Sequence, residues 1–518
     1  MKARRILAFV LCLLMALSLC ACGGTKKTNI DDGERSLTHK ITDEPLELTY
    51  FAKEIESAKD ESIFTKAYDM TNILVKPTLS ENVTDMDQAL ALAVAAKDIP
   101  DIIYDWKPEN FNKYGSQGAL IALNDLIEEH APNYKKFLEE HPDIKYLSTA
   151  ADGNIYFIPF IMDGEASTGW FIRQDWLDKL NLKTPETVDE LYDVMVAFRD
   201  KDPNGNGKKD EVPYFGMQGD VASLLSLFNA YEGFHYENGK VTFGPMEDGF
   251  LSAIKEVGKW YQEGMIDDEY FTRSDALDYL TSNNTGGITH EWFGSTAKTN
   301  DKLKDTIPGY KLVPFAPPAG PDGVQRELNR RGNSSGEGWA ISAMNEHPVE
   351  TIKYFDFWFS EEGRRLANFG VEGIHNDMVD GKPVLKDSVI NDPEGVGLRM
   401  MKTRAMTNFG YWQDFSYESQ WTNQIARDGI DMYNTGSYLP KIVERPKLSY
   451  FEDEKRHSVL KTQIETYLDE MIQHWVFGTK DPDATYNEAI ENLKSLGIEE
   501  YIQIEQKAYD KYMKFMGQ

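Results

Sequence analysis

Two hydrophobic patterns alternate along residues 46–106. Apolar and polar side chains alternate in "LELTYFA" (46–52), which predicts a strand, and "NILVKP" (72–77) predicts a short strand that ends at a proline. "DMDQALALAVAA" (85–96) is long enough for a helix, and "IPDIIYDW" (99–106) predicts a buried strand that opens into a loop. This order of elements predicts an α/β fold with a largely parallel sheet.

A second helical pattern lies in "TPETVDELYDVMVAFRDKD" (184–202). Thr187 and Glu190 have the spacing of a capping box. Apolar residues then recur on one helical face: Val188, Leu191, Val194, Met195 and Phe198. The glycine-rich stretch "DPNGNGKKDE" (202–211) follows, and Pro213 disfavours an immediate second helix. The pattern therefore predicts a helix, a loop and an extended segment, and not the two helices of a full EF-hand.

The N-terminus has the pattern of a signal for export. Positively charged residues precede an apolar run at 6–19, which is too short for a comfortable membrane span. The next residues, "LCACGG" (19–24), resemble a bacterial lipobox. The resemblance implies a lipoprotein signal peptide at 1–21, diacylglycerol on the thiol of Cys22, and a flexible linker at 22–40. The alternative is an ordinary signal peptide in which the cysteines occur by chance.

The formal net charge of −30 narrows the classes of partner. Such a field repels nucleic acid and anionic lipid surfaces, so we expect no nucleic-acid partner and membrane attachment through the lipid anchor only. All three cysteines lie within the first 22 residues, so no disulfide is expected in the mature chain. A chain of this length allows a large core and more than one domain, and we expect a monomer.

Several stretches, taken together and in order, resemble one known family. They include "IPDIIYDWKPENFNKYGSQGALIALNDLI", "DGNIYFIPF", "GWFIRQDWLDKLNLKTPETVDELYDVMVAFRDKDPNGNGKKDEVPYFG", "AYEGFHYENGKVTF" and "DFWFSEEGRRLANFGVEGIHND". They resemble family 1 extracellular solute-binding proteins of ABC importers, the carbohydrate-binding group that includes maltose-binding protein. The similarity is greater to the large lipoprotein members that bind oligosaccharides, such as the alginate-binding proteins.

This resemblance implies a two-lobe periplasmic-binding-protein fold of the α/β class, with a hinge between discontinuous lobes. We expect lobe one at 40–160 and 310–375, and lobe two at 165–305 and 380–518. The implied function is capture of an oligosaccharide in the cleft between the lobes and its delivery to the permease subunits, at the extracellular face of the cell membrane. The alternatives are a surface glycan sensor or adhesin with the same fold, or a glycan-active hydrolase.

The hydrolase alternative has one motif to support it, because "GNSSG" (332–336) matches the G-x-S-x-G nucleophile elbow. That elbow requires a helix after the serine, whereas the strand-like "EGWAISA" follows here. We therefore expect a glycine-rich loop and no enzyme.

The stretch "DPNGNGKKDE" fits a calcium loop at most positions. Oxygen-bearing residues alternate from Asp202, and Gly207 occupies the sixth position, where an EF-hand makes its sharp turn. The twelfth position is Pro213, which has no side-chain oxygen, so Glu211 is the substitute. Similar loops in the larger sugar-binding relatives imply a structural Ca²⁺ bound by Asp202, Asn204, Asn206, Lys208 through its carbonyl, Asp210 and Glu211. The alternative is a solvated turn, since these residue types also favour turns.

Candidate ligand residues come from positions near strand ends, because ligands of wound α/β sheets bind beyond the carboxyl ends of the strands. Tryptophan and planar polar side chains suit sugars, since an indole offers both area and a donor. By the resemblance, the candidates are Tyr104, Asp105, Trp106, Glu291 and Trp292. The aromatic-rich stretch "NFGYWQDFSYESQW" (408–421) adds Trp412 and Asp414. For each of them the alternative is packing within a core.

Overall fold

The computed structural model describes residues 38–53, 62–80, 82–164, 166–327, 334–404, 409–438, 448–450 and 453–517. The predicted signal peptide (1–21), Cys22 and nearly all of the predicted linker lie outside these residues. In the part of the chain that is described, no helix is both long enough and apolar enough to cross a membrane.

The strands are numbered in chain order. They are β1 (Leu46–Lys53), β2 (Ile73–Leu79), β3 (Ile102–Asp105), β4 (Ile158–Ile161), β5 (Thr168–Arg173), β6 (Val212–Gly216), β7 (Phe234–Glu237), β8 (Lys240–Phe243), β9 (Gly286–Trp292), β10 (Leu312–Phe315), β11 (Ser334–Ile341), β12 (Asn376–Val379) and β13 (Lys382–Leu385).

The α-helices are numbered in the same way. They are α1 (Ile63–Thr71), α2 (Met86–Ala96), α3 (Pro108–Ser116), α4 (Asn124–His130), α5 (Pro132–Glu140), α6 (Pro142–Ser148), α7 (Gln174–Leu180), α8 (Val188–Asp200), α9 (Val221–Ser226), α10 (Phe250–Gln262), α11 (Ala276–Ser282), α12 (Phe293–Leu303), α13 (Pro348–Phe357), α14 (Glu361–Phe369), α15 (Asp387–Ile390), α16 (Val396–Thr403), α17 (Phe415–Trp421), α18 (Gln424–Thr435), α19 (Glu454–Val476), α20 (Pro482–Leu496) and α21 (Ile498–Phe515).

The first lobe is built on a sheet with the strand order β2-β1-β3-β11-β4. β1 pairs in parallel with β2 and with β3, so the predicted parallel pairing is confirmed for these strands. β11 enters between β3 and β4 and runs antiparallel to both. Its fully buried Trp339 stacks on Phe355 of α13, with the ring centroids 4.1 Å apart. Separate buried clusters on the two faces show that helices cover both sides of this sheet.

The second lobe is built on a sheet with the strand order β10-β5-β9-β6. β5 runs antiparallel to β10 and β9, while β6 and β9 are parallel. Trp170 and Ile288 lie in its main core, which also receives Trp475 from the C-terminal helix α19. From α21, the ring of Tyr512 reaches the first lobe and lies 5.2 Å from Tyr146. The fold is thus α/β with two lobes, as the resemblance implied.

The chain passes repeatedly between the two sheets. Residues 162–167 lead from β4 to β5, and residues 316–333 lead from β10 back to β11. Later, the backbone of Ile161 bonds to Tyr411 and Gln413, which adds a short segment at the edge of the first sheet. The following helix α18 packs against α12 and β10 of the second lobe. Both lobes are therefore assembled from segments that are distant in sequence.

The structure differs from the predicted boundaries at two places. β10 falls within the 310–375 segment that we expected in lobe one, yet it pairs with β5 in the second sheet. The Asn300 side chain of α12 exchanges two hydrogen bonds of 2.8 Å with the backbone of Leu312, which holds β10 beside that helix. Tyr411, expected in lobe two, is buried in the first core. Both segments are short and pair with partners far away, so local patterns carry no signal of their sheet. The remaining boundaries stay a prediction.

Two local predictions are confirmed. The capping position Thr187 precedes α8, and its hydroxyl accepts a hydrogen bond from the Glu190 amide at 3.3 Å. Glu190 accepts in turn from the amide of Glu186, one residue earlier than in the standard capping box. The predicted apolar face of this helix is buried. The glycine-rich loop predicted for "GNSSG" is wrong at residues 334–336, because these residues begin strand β11, and a strand follows Ser334 where the nucleophile elbow requires a helix.

We expect Gly338→Ala to destabilise the first sheet. A Cβ at this position would lie 2.2 Å from the carbonyl oxygen of Ile158, so β11 would have to move away from β4. Such overpacking typically costs about 1–3 kcal/mol, which urea denaturation would measure. Gly397→Ala in α16 is the matched control, because a Cβ there meets nothing within 4 Å and alanine favours a helix. Equal urea midpoints for the two variants would contradict this account of the pairing.

Candidate functional site

The carboxyl end of β3 presents an aromatic pair to solvent. Trp106 is 41% exposed, and its ring contacts Tyr104 edge to face at a centroid distance of 6.5 Å. The Tyr104 hydroxyl donates to Glu337 of β11 at 2.8 Å, and burial together with this carboxylate raises the pKa of Tyr104. The Glu337 bond orients Tyr104, which in turn supports the exposed indole of Trp106.

Asp105 supports the same loop from below. Its carboxylate accepts from the Lys107 amide at 2.9 Å and from the Asn110 side chain at 2.8 Å, which fixes the turn into α3. Asp105 is itself buried, and desolvation raises its pKa against the lowering effect of these hydrogen bonds. Its contacts within the protein thus hold the loop that carries Trp106.

The carboxyl end of β9 is built in a similar way. Trp292 is the last residue of the strand and is 51% exposed. The preceding residue, Glu291, is buried and accepts from the Trp292 amide at 3.2 Å. Burial raises the pKa of the Glu291 carboxyl. Each sheet therefore ends, at one strand, in a buried carboxylate followed directly by an exposed tryptophan.

Trp412 and Asp414 have contacts of another kind. The Trp412 indole nitrogen donates to Asp163 in the 162–167 crossing at 2.5 Å, and the Arg364 guanidinium lies 3.4 Å above the ring. Arg364 also donates to Asp163, at 2.8 Å. Asp414 caps α17 by accepting from the Ser416 amide. These contacts serve the first crossing and the helix start, so a ligand role for the two residues stays a prediction.

A polar cluster behind β9 was not predicted. His290 is buried, and its Nε2 lies 2.8 Å from Glu327 of the 316–333 crossing. Its Nδ1 lies 3.0 Å from the Ser223 hydroxyl, which donates to Asp220 at 2.5 Å. Nearby, burial and the charge of Asp220 raise the pKa of Glu232 to about 7. Sequence patterns could not reveal this cluster because it joins three distant segments.

The Ser223, His290 and Glu327 side chains follow the order of a nucleophile, a base and an orienting acid. All three are buried, however, and the serine proton is directed at Asp220. The arrangement therefore favours an internal ion pair over acyl transfer.

Trp421 is a further aromatic residue near β9. Its ring lies 3.8 Å from the point that a Cβ on Gly294 would occupy, at the start of the helix that Trp292 leads into. The indole nitrogen of Trp421 is buried and has no hydrogen-bond partner. The aromatic-rich stretch that contains Trp412 was the signal that could have identified it.

The 202–211 loop is folded tightly around its own side chains. Asp202 accepts from the amides of Gly205, Asn206 and Gly207 at 2.9–3.0 Å, and its own φ is positive. The Asn206 side-chain amide donates to both oxygens of Asp210. From outside, the ammonium of Lys179 in α7 donates to the Pro203 carbonyl at 2.8 Å. The predicted turn geometry is therefore present.

The environment of the Glu211 carboxylate indicates whether these residues could bind a cation. Both of its carboxylate oxygens are buried without a hydrogen-bond partner. Burial raises the Glu211 pKa, as do the charges of Asp202 and Asp210. A buried, unpaired carboxylate beside two others is the environment that a hard cation would relieve. The residues therefore fit such an ion.

The loop is nevertheless not a cluster of acidic ligands alone. Among the described residues, no three His, Cys, Asp or Glu side chains converge as a metal site. The predicted donors include two asparagines and a backbone carbonyl, and the Asn204 and Asn206 amide groups point their nitrogens at Asp210. Rotating each amide would present its oxygen instead, since the two orientations of an asparagine differ little in shape.

Comparison with known proteins assigns the family. Residues 49–365 match the bacterial extracellular solute-binding proteins, and the chain belongs to that family. It is 26% identical over 479 residues to the fructooligosaccharide ABC transporter substrate-binding protein FusA of Streptococcus pneumoniae serotype 4, covering 83% of each chain. It is 26% identical over 403 residues to the polygalacturonan/rhamnogalacturonan-binding protein YtcQ of Bacillus subtilis strain 168, covering 75% of this chain and 77% of YtcQ.

Solved structures agree with this assignment. The alginate-binding protein AlgQ2, crystallised without calcium ion, superposes with a TM-score of 0.77 and 38% identity, over 92% of this chain and 100% of AlgQ2. A FusA EF-hand mutant in complex with fructo-nystose has the same fold, with a TM-score of 0.71 at 22% identity over 90% and 99% of the two chains. The family and these relatives are binding proteins rather than enzymes.

We expect Trp412→Phe to reduce the free energy of unfolding. The substitution keeps a ring under Arg364 but removes the donor to Asp163, and hydrogen bonds to charged groups contribute about 1.5–3 kcal/mol. Urea denaturation measures the loss, and a double-mutant cycle with Asp163→Asn tests whether it comes from this bond. Full stability combined with weakened ligand binding would instead place Trp412 in the ligand site.

Proposed function

We propose that this protein is the substrate-binding component of an ABC transporter and captures an oligosaccharide between its two lobes. The observation that carries the proposal is the matched pair of exposed tryptophans, Trp106 and Trp292, at the carboxyl ends of strands in the two sheets. Wound α/β folds bind ligands at such strand ends, and indole faces pack on the C–H surface of sugar rings.

The polar groups beside these tryptophans suit sugar hydroxyls. Asp105, Glu291 and Glu337 supply carboxylate oxygens, and such oxygens accept the hydrogen bonds that hydroxyl groups donate. Tyr104 adds a phenolic oxygen next to Trp106. Relatives named for fructooligosaccharide, polygalacturonan and alginate binding support a ligand made of several sugar units.

We further propose that the protein is anchored to the extracellular face of the cell membrane by lipid on Cys22, and that it delivers the sugar to permease subunits. A relative named lipoprotein LipO, 26% identical over 406 residues, supports this arrangement. We also propose that the protein is a monomer without a nucleic-acid partner, in keeping with its net charge of −30.

The 202–211 loop is proposed to hold a structural Ca²⁺. The bound ion would neutralise the buried Glu211 carboxylate and fasten α8 to β6, which the loop connects. AlgQ2 without calcium ion and the FusA EF-hand mutant support a cation in relatives of this fold. The proposed ligands are Asp202, Asn204, Asn206, the Lys208 carbonyl, Asp210 and Glu211.

The first test is a binding screen by calorimetry with 1-kestose, nystose, maltotriose, trigalacturonate and a mannuronate trisaccharide. Trp292→Ala should then weaken the tightest complex by about thirtyfold or more, because buried tryptophan contacts at interfaces contribute at least about 2 kcal/mol. Tyr279→Ala is the control. This exposed aromatic side chain lies in α11, which leads into the opposite, amino end of β9.

Two results would overturn the assignment. One is hydrolysis of any saccharide in the panel. The other is equal loss of affinity in the Trp292→Ala and Tyr279→Ala variants, since only one of these residues lies at the carboxyl end of the strand.

We expect chelation with EDTA to lower the melting temperature and to leave saccharide preference unchanged. A ligand at a hundred times its dissociation constant stabilises the folded state by about 2.7 kcal/mol. Glu211→Gln should remove this difference and should melt in EDTA no lower than the unsubstituted protein, because it eliminates a buried unpaired charge. Differential scanning calorimetry measures both effects. Equal melting temperatures in EDTA and in calcium would show that the loop is a turn that binds no ion.

A further inference from the structure

The buried cluster around His290 joins three parts of the second lobe. Ser223 belongs to α9, His290 to β9, and Glu327 to the 316–333 crossing toward the first lobe. His290 and Glu327 are 1% and 2% exposed, so water contributes almost nothing to solvating either group. Their 2.8 Å contact is therefore a direct link between a sheet strand and a crossing segment.

The available donors and acceptors determine the protonation of this cluster. The Asp220 carboxylate caps α9 by accepting from the Ser223 amide, and it also accepts the Ser223 hydroxyl proton at 2.5 Å. The Ser223 oxygen can then only accept from Nδ1 of His290, which must carry a hydrogen. Nε2 faces the Glu327 carboxylate and must also donate. With a hydrogen on each nitrogen, the His290 ring is an imidazolium cation.

The surrounding charges favour the same state. Burial by itself would lower the pKa of His290, but Glu327, Asp220 and Glu291 together raise it above the ordinary value. Among the described residues, the other ionisable groups around the cluster are three tyrosines and one further carboxyl: Tyr214 of β6, Tyr270, Tyr433 and Glu232. Trp170 of β5 contacts the imidazole edge to face at 5.3 Å. The positive charge of His290 is thus held among acidic groups.

The position of His290 connects this cluster with the end of the strand. Side chains two residues apart on a strand share a face, so His290 and Trp292 point to the same side of β9, and Glu291 points to the other. The exposed Trp292 lies two residues after His290 on the strand. The His290 contacts therefore hold the strand directly next to the residues Glu291 and Trp292.

We propose that His290 is a positioning residue, whose imidazolium fastens the 316–327 segment to the end of β9 and so holds Trp292 and Glu291 in place for the ligand. The ligand part of this statement rests on the proposed function, whereas the link itself does not. A group whose pKa is raised on folding stabilises the protein fully below its unfolded pKa and loses that effect as the pH rises through the folded pKa. The link is therefore closed at acidic and neutral pH and weakens at alkaline pH.

The link is tested first without any ligand, by hydrogen–deuterium exchange of the full-length protein. In His290→Gln, amides of 316–327 and 286–292 should exchange at least about tenfold faster than in the unsubstituted protein, since the substitution removes the 2.8 Å contact between a cationic ring and the buried Glu327 carboxylate. The matched control is His457→Gln. His457 is also buried and lies 3.0 Å from buried Glu505, but it belongs to the C-terminal helices. That control should leave both segments unchanged.

Glu327→Gln provides a second variant if His290→Gln fails to fold, because it keeps the shape of the side chain and removes the charge. Long-range ¹H–¹⁵N spectra of histidine-labelled protein should show hydrogens on both His290 nitrogens at pH 7. A neutral His290 ring at that pH, or equal exchange in the His290→Gln and His457→Gln proteins, would overturn the link.

The ligand part is tested by calorimetry with 1-kestose and trigalacturonate between pH 5.5 and 9. Affinity of the unsubstituted protein should fall as the pH rises, and His290→Gln should bind at least about tenfold more weakly at pH 6 with a flatter pH profile. Unchanged affinity despite faster exchange would show that the link exists but does not position the ligand residues. If no saccharide of the five-member panel binds the unsubstituted protein while the exchange result holds, the proposed function fails and the link stands.

Discussion

The structure depends on the insertion of β11 between β3 and β4. This strand completes the first sheet, and it follows the whole of the second sheet in the chain. The close approach is possible because Gly338 has no side chain to strike the Ile158 carbonyl. Since the first sheet cannot close without a segment from beyond the second, the chain must leave the first lobe and return to it. The crossings that flank the second sheet follow from this one pairing, and the return of Tyr411 to the first core adds a later crossing.

The two crossing segments around β5 and β10 are held by the same kind of interaction. Asp163 in one binds Arg364 and the Trp412 indole, and Glu327 in the other binds His290. In each case a carboxylate on the crossing meets a cationic side chain on a lobe. The Glu327–His290 pair is buried, whereas the Arg364 and Asp163 side chains are 25% and 33% exposed. Ion pairs of either kind contribute little net stability. They therefore define where each crossing lies more than how strongly the lobe folds.

Local patterns in the chain predicted the local structure well. The strands near 46–106, the capped helix α8 and the glycine-rich turn after it are all present, because each depends on residues close in sequence. The sheet membership of β10 and the position of Tyr411 were predicted wrongly, because each depends on a partner more than a hundred residues away. For the same reason, the His290 cluster could not be foreseen. The positions of Trp106 and Trp292 at strand ends could be, since each directly follows or ends an apolar strand.

The hydrogen bond from Lys179 to the 202–211 loop affects how quickly the loop can bind an ion. Its ammonium already donates to the Pro203 carbonyl, and the Asp202 carboxylate already accepts hydrogen bonds from three backbone amides. A loop in this state has lost most of its conformational entropy before any ion arrives. Ion capture would then require only side-chain rotations and the release of water from the cation. The rate of ion binding would then be limited by the loss of water from the cation, and not by folding of the loop.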